Sequence, residues 1–248
     1  MVEIIAHWFR ELHRATGINL TIFYDPFDRG RFFAGLLTSL ELMAICLLLS
    51  LLIGVAGAWL QGSRFRLPRL VVNGYIQLFR NTPSLIQLYF FYFALGPLIT
   101  TRLADGSTVP LVSNFVWAAL CFSIYAGAFN VEILRAGIEA VPHATIEAAE
   151  TLGYSRLKAY IHIVLPLAFR ISLPALNNNL INLIKLTSVA YAIAVPELFY
   201  VSSQIWSDAI NVPVMMNVLL VTYVGLVALF VVGMTWLERA LRLPGIGV

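Results

Sequence analysis

Residues 32–59 read FFAGLLTSLELMAICLLLSLLIGVAGAW, and Glu41 is their single charge. A hydrocarbon core about 30 Å thick asks for about 20 consecutive apolar residues of helix, so this stretch is long enough to cross a membrane. Four further apolar runs follow it, and the spans read as 32–61, 70–99, 112–138, 165–195 and 214–241. Composition agrees, because 60% of the 248 residues are hydrophobic and 12% are charged, against about 45–50% and about 25% in soluble domains. The expected class is an all-α polytopic membrane helix bundle with five transmembrane helices. Two spans are irregular. Arg80-Asn81-Thr82-Pro83 interrupts the second, and the fourth carries Asn177-Asn178-Asn179, Asn182 and Lys185 before Pro196, which predicts broken or cavity-lining helices.

The formal charge of +3 sits mostly between the spans, where it sets orientation and does not point to nucleic acid. Arg64, Arg66 and Arg69 follow span one; Arg135, Arg156, Lys158 and Arg170 surround the loop after span three; Arg239 and Arg242 close span five. The opposite face has Arg29 and Arg31 before span one and Arg102 after span two. The positive-inside rule puts the N-terminus outside and the C-terminus in the cytoplasm. In the first tail the arginines are matched by Glu3, Glu11, Asp25 and Asp28, so it is near-neutral. Ile4, Ile5, Trp8, Phe9 and Leu12 recur there at helical spacing among charges, as in a helix lying in the interface. Cys46 and Cys121, far apart in separate spans, read as packing residues.

Between spans three and four lies Ala140-Val141-Pro142-His143-Ala144-Thr145-Ile146-Glu147-Ala148-Ala149-Glu150-Thr151-Leu152-Gly153-Tyr154-Ser155-Arg156. Pro142 suits a first helical turn, Gly153 a left-handed stop, and Ser155 a cap for the next helix. A short helix, a sharp turn and a second helix are expected. Glu147-Ala148-Ala149, Gly153 and Ile163-Val164-Leu165-Pro166 keep every interval of the Glu-Ala-Ala, Gly, Ile-x-Leu-Pro signature of permease subunits of bacterial ATP-binding-cassette importers, which the chain resembles. Leu78-Phe79-Arg80-Asn81-Thr82-Pro83 is similar to the Leu-Phe-Arg-Gly-Thr-Pro of the polar amino-acid branch, with Asn81 where Gly is usual. Leu183-Ile184-Lys185-Leu186-Thr187-Ser188 with Pro196-Glu197-Leu198 is similar to its Leu-Lys-x-Thr-Ser and Glu-Leu pattern.

The resemblance implies the type I importer permease fold and a place in the bacterial inner membrane. It implies a second permease subunit, giving a homodimer or a heterodimer, a cytoplasmic ATPase dimer that binds ATP and Mg, and a periplasmic amino-acid-binding protein. Residues 1–30 become a periplasmic tail carrying the interfacial helix. Residues 31–242 become the permease domain in contact with membrane lipid, with its coupling loop at 139–158, and 243–248 a short cytoplasmic tail. Lys158 and Lys185 are the only lysines, and neither follows the Gly of a Gly-x-x-x-x-Gly-Lys-Ser/Thr loop, so ATP hydrolysis must come from a partner. The chain is expected to be no enzyme itself, with no catalytic constellation and no metal site. A self-sufficient oligomeric channel or secondary transporter is the competing reading, and it leaves the ordered loop unexplained.

In the coupling loop the candidate residues are Pro142, Glu147, Ala148, Ala149, Gly153, Leu165 and Pro166. For the substrate path they are Arg80, Asn178, Asn182, Lys185, Thr187 and Glu197. Arg80, far from its span's start, needs an anion: a bound carboxylate, Glu132, or carbonyls freed by the break at Pro83. Asn178, Asn182 and Lys185 fall at i, i+4 and i+7 on one helix face, to be met by another helix or by a water-filled path. Glu197 either pairs with Lys185 as an outer gate or terminates its helix.

Overall fold

The computed structural model describes residues 2–102 and 107–241. Arg242 and the short tail 243–248 lie outside the described residues, as does part of the loop after span two. Helix α1 (Val2–Thr16) occupies the amphipathic tail and α2 (Thr21–Tyr24) follows it. Among the described residues, four helices are long and apolar enough to cross a membrane: Pro26–Gln61, Asn114–Glu139, Arg156–Ile193 and Val212–Leu241. Internal packing divides the chain into two units. One comprises Met1–Ile45, Leu88–Leu120 and Ile184–Ala228, and the other Cys46–Gln87, Cys121–Leu183 and Leu229–Val248.

Helix α3 (Pro26–Gln61) starts ahead of its apolar run because Asp25 and Pro26 form a start signal. The Asp25 carboxylate accepts from the Phe27 amide at 3.0 Å, and Pro26 at the first helical position has no N–H to leave unpaired.

The stretch expected as span two is built in pieces. Helix α4 (Arg66–Arg80) stops at Asn81, α5 (Ser84–Tyr89) restarts beyond Pro83, and a π-helical turn, Phe90–Leu95, and a 3-10 turn, Gly96–Leu98, complete the run. Pro83 cannot continue the ladder. The side chain of Gln87 takes over part of the freed backbone, donating to the carbonyls of Phe79 at 2.9 Å and Thr82 at 3.0 Å. Two short antiparallel strands, β1 (Thr100–Arg102) and β2 (Thr108–Pro110), make up part of the following loop.

Of the two expectations for the fourth span, a broken or a cavity-lining helix, the structure removes the break at the asparagines. Past helix α6 (Asn114–Glu139) and the loop, α8 (Arg156–Ala159), a π-helical turn (Tyr160–Val164), α9 (Leu165–Leu186) and a 3-10 segment (Thr187–Ile193) run on without a gap. Asn177 and Asn179 leave their own helix intact because their side chains bond elsewhere. Asn177 donates to Glu238 at 2.9 Å, and Asn179 donates to Asn130 at 2.8 Å and to the Ala126 carbonyl at 3.1 Å. The stop comes later, at Ala194, whose φ of 55° is left-handed and whose carbonyl accepts from Asn114 at 2.7 Å.

A short helix, α10 (Leu198–Ala209), then precedes α11 (Val212–Leu241). Within the first unit, Ile22, Phe32, Leu198, Val201, Ile205, Met215 and Leu219 form a buried cluster that binds α2, α3, α10 and α11 together. Within the second, Gly54 and Gly57 of α3 face Asn130 and Val131 of α6 with no room for a Cβ, and Gly127 of α6 meets Ile53 in the same way. Small residues let helices approach closely where apolar attraction between them is weak. Cys46 and Cys121 are buried and unbridged.

Candidate functional site

The loop between α6 and α8 is ordered by its own sequence. Pro142 caps α7 (His143–Thr151) in an extended conformation, and its carbonyl accepts from the Thr145 amide at 3.0 Å. At the other end Gly153 takes a φ of 84°. Its amide donates to the Glu150 carbonyl at 3.0 Å and the Tyr154 amide donates to the Ala149 carbonyl at 3.1 Å, the paired bonds of a Schellman stop. The Ser155 side chain accepts from the Lys158 amide at the start of α8, and Arg156 ion-pairs with Glu150 at 3.2 Å across the corner.

One side of this corner is held down and the other is left open. Val141, Val164 and Ala168 are buried with Ile146 against them, and Ala149 is buried as well. Glu147 and Ala148 face outward, joined by Leu152 at 79% exposure and Leu157 at 69%. Leu165 and Pro166 open α9 directly behind the π-helical turn, where the Leu165 amide reaches back to the Tyr160 carbonyl. In a regular helix a proline ring presses on the carbonyl four residues back, and the wider turn gives it space. The second helix of the loop is the start of span four itself.

Among the path candidates, Arg80 has its anion. Its Nη1 lies 3.6 Å from Glu132 Oε2, and its guanidinium stands over the Phe129 ring at 5.1 Å. Glu132 also pairs with Arg135 at 3.2 Å, and Arg135 pairs with Glu139 at 2.7 Å. Asn178, Asn182 and Lys185 are all exposed on α9, and Lys185 has no ion-pair partner among the described residues. Thr187 is buried, its hydroxyl donating to the Ile184 carbonyl at 2.7 Å.

Glu197 neither pairs with Lys185 nor ends a helix. It is fully buried and caps the start of α10, with Oε2 accepting from the Phe199 amide at 2.9 Å and Oε1 from the Tyr200 amide at 2.8 Å. The Tyr223 hydroxyl donates to the same carboxylate at 3.0 Å and the Ser39 hydroxyl at 3.4 Å. Four donors leave no acceptor demand for an ammonium to meet. Ser39 and Tyr223 escape sequence reasoning because nothing local marks them. The acidic residue before Leu198-Phe199-Tyr200 is the local cap signal that the sequence carries.

Residues 47–243 match the family described as binding-protein-dependent transport system inner membrane component. The chain is 30% identical over 225 residues to a probable glutamine ABC transporter permease protein, GlnM, of Bacillus subtilis strain 168, covering 91% of this chain and 99% of the relative. It is 33% identical over 171 residues to the L-cystine transport system permease protein TcyB of the same organism, covering 69% of each. Its fold superposes on a solved structure described as a crystal structure of an amino acid ABC transporter with histidines, with a TM-score of 0.75, 27% identity, and coverage of 86% of this chain and 94% of that one. With its apolar helices, its ordered loop and these likenesses, the chain belongs to the binding-protein-dependent transport system inner membrane component family and has the type I importer permease fold.

Proposed function

We infer that this permease subunit serves an ATP-driven amino-acid importer. The relatives named for glutamine and L-cystine and the amino-acid transporter of similar fold support that substrate class. In this reading the chain crosses the bacterial inner membrane five times, with the α4–α5 pieces as the second crossing, N-terminus outside and C-terminus inside. It pairs with a second permease subunit, takes solute from a periplasmic binding protein and is driven by a cytoplasmic ATPase dimer that holds ATP and Mg.

One observation carries the proposal: a loop fixed on one side by Val141, Val164 and Ala168 presents Glu147, Leu152 and Leu157 outward on the other. The exposed Leu152 and Leu157 on this short corner offer a partner an apolar contact beside Glu147. Because α8 continues into α9, displacing the corner displaces the helix that carries Asn178, Asn182 and Lys185. The test is to co-purify the ATPase and measure uptake in proteoliposomes for Glu147→Arg and Gly153→Val. Both variants are expected to insert normally and to lose ATP-dependent uptake. Full partner retention together with full uptake in both would remove the coupling role.

A further inference from the structure

A cavity of about 820 Å³ opens between α1, α2, the first turns of α3 and the first turns of α11. That lies within the roughly 300–1,000 Å³ of small-molecule sites. Phe9, Ile22, Phe32, Pro213 and Val218 give it an apolar wall. Two polar side chains in the wall are satisfied locally, Asn217 donating to the Pro213 carbonyl and Thr222 to the Val218 carbonyl, each at 2.8 Å.

Arg29 is different. It is the one charged residue lining the cavity, it is half-buried, and among the described residues its guanidinium has neither a hydrogen bond nor an ion pair. The neighbouring acids are engaged. Arg31 holds Asp28 at 2.6 Å and Asp208 at 2.9 Å, and the Asp25 carboxylate caps Phe27. A guanidinium beside an apolar slot, next to an amphipathic helix of interfacial pattern, matches a ligand with an anionic head and a hydrocarbon tail.

We propose that this cavity binds one anionic phospholipid, an acyl chain lying along Phe9, Phe32 and Val218 and the phosphate on Arg29. A zwitterionic lipid fits the slot equally well, but its own ammonium competes with Arg29 for the phosphate. The site therefore selects by net headgroup charge. Such a lipid clamps α1 to α3 and α11 and so orders the tail helix.

The experiment uses the intact detergent-purified transporter and native mass spectrometry, with palmitoyl-oleoyl phosphatidylglycerol and phosphatidylcholine of the same chains as probes. Phosphatidylglycerol is expected to be retained roughly fivefold over phosphatidylcholine, the ratio one cation near a membrane surface supplies. Arg29→Gln is expected to erase the preference, Arg29→Lys to keep most of it, and Val221→Trp, at the exposed rim, to reduce both lipids together. Arg14→Gln, on an exposed position of α1, is the control and should change nothing. Equal retention of the two lipids by the unaltered protein overturns the proposal. So does a preference that survives Arg29→Gln, or one lost as fully in Arg14→Gln.

Discussion

The carboxylate of Glu132 stands between two guanidiniums, 3.6 Å from Arg80 and 3.2 Å from Arg135. The two partners of this cluster are therefore unequal. Glu132→Gln removes both pairs and strands Arg80, while Arg135 keeps Glu139; Arg80→Gln removes one pair and leaves Glu132 with Arg135. Glu132→Gln is expected to cost about 1–2 kcal/mol and Arg80→Gln less than about 1 kcal/mol. Melting temperatures of the purified complex check the order, and a larger loss for Arg80→Gln contradicts it.

Lys185 gives the sharpest separation of transport from stability. It is exposed and without an ion-pair partner among the described residues, so Lys185→Met strands no acid. Uptake is expected to fall at least roughly tenfold, on the order of the 1.4 kcal/mol that defines that factor, with assembly and melting temperature unchanged. Unchanged uptake removes Lys185 from the path.

Glu197 behaves in the opposite sense. Glu197→Ala removes a cap and leaves the amides of Phe199 and Tyr200 and the Tyr223 hydroxyl without their acceptor. A loss of about 3 kcal/mol is expected. Tyr223→Phe removes one donor and should cost about 1 kcal/mol. Thermal unfolding of both variants is the check, and equal losses would place the energy outside the cap.

At Gly153 nothing crowds an added Cβ, so conformation alone decides what is tolerated. An L-residue at this φ costs about 1–2 kcal/mol, most for a branched one and least for Asn. Gly153→Asn is expected to keep most of the uptake that Gly153→Val loses. Parallel uptake assays decide between geometry and a need for glycine itself.

Ile210, between α10 and α11, has a φ of 50° and is 90% exposed. A branched side chain in this conformation is strained and loses no packing when removed. Ile210→Gly is expected to stabilise the protein by about 1 kcal/mol, read as a rise in melting temperature.

The loop was legible because its signals are local: Pro142, Gly153 and Ser155 each act within three residues of themselves. Apolar runs located the long helices but not their starts. A hydropathy window discards Arg156–Ala159, although those residues belong to the same helix as α9. Helix α10 carries no span signal, because twelve mixed residues are too few to read as one. The burial of Glu197 was beyond reach of the sequence, since Ser39 and Tyr223 come from two other helices. Arg80 lay in between, as its sequence demanded an anion and only the fold chose Glu132.

The outward-facing Asn178, Asn182 and Lys185 bear on how the subunit is made. A chain inserted alone shows an amide-and-ammonium strip to lipid tails, at a cost of a few kcal/mol for the lysine. In the proposed importer a second subunit would cover this strip, so the residues that suit the helix to a partner are also those that make a lone copy costly to hold in the bilayer.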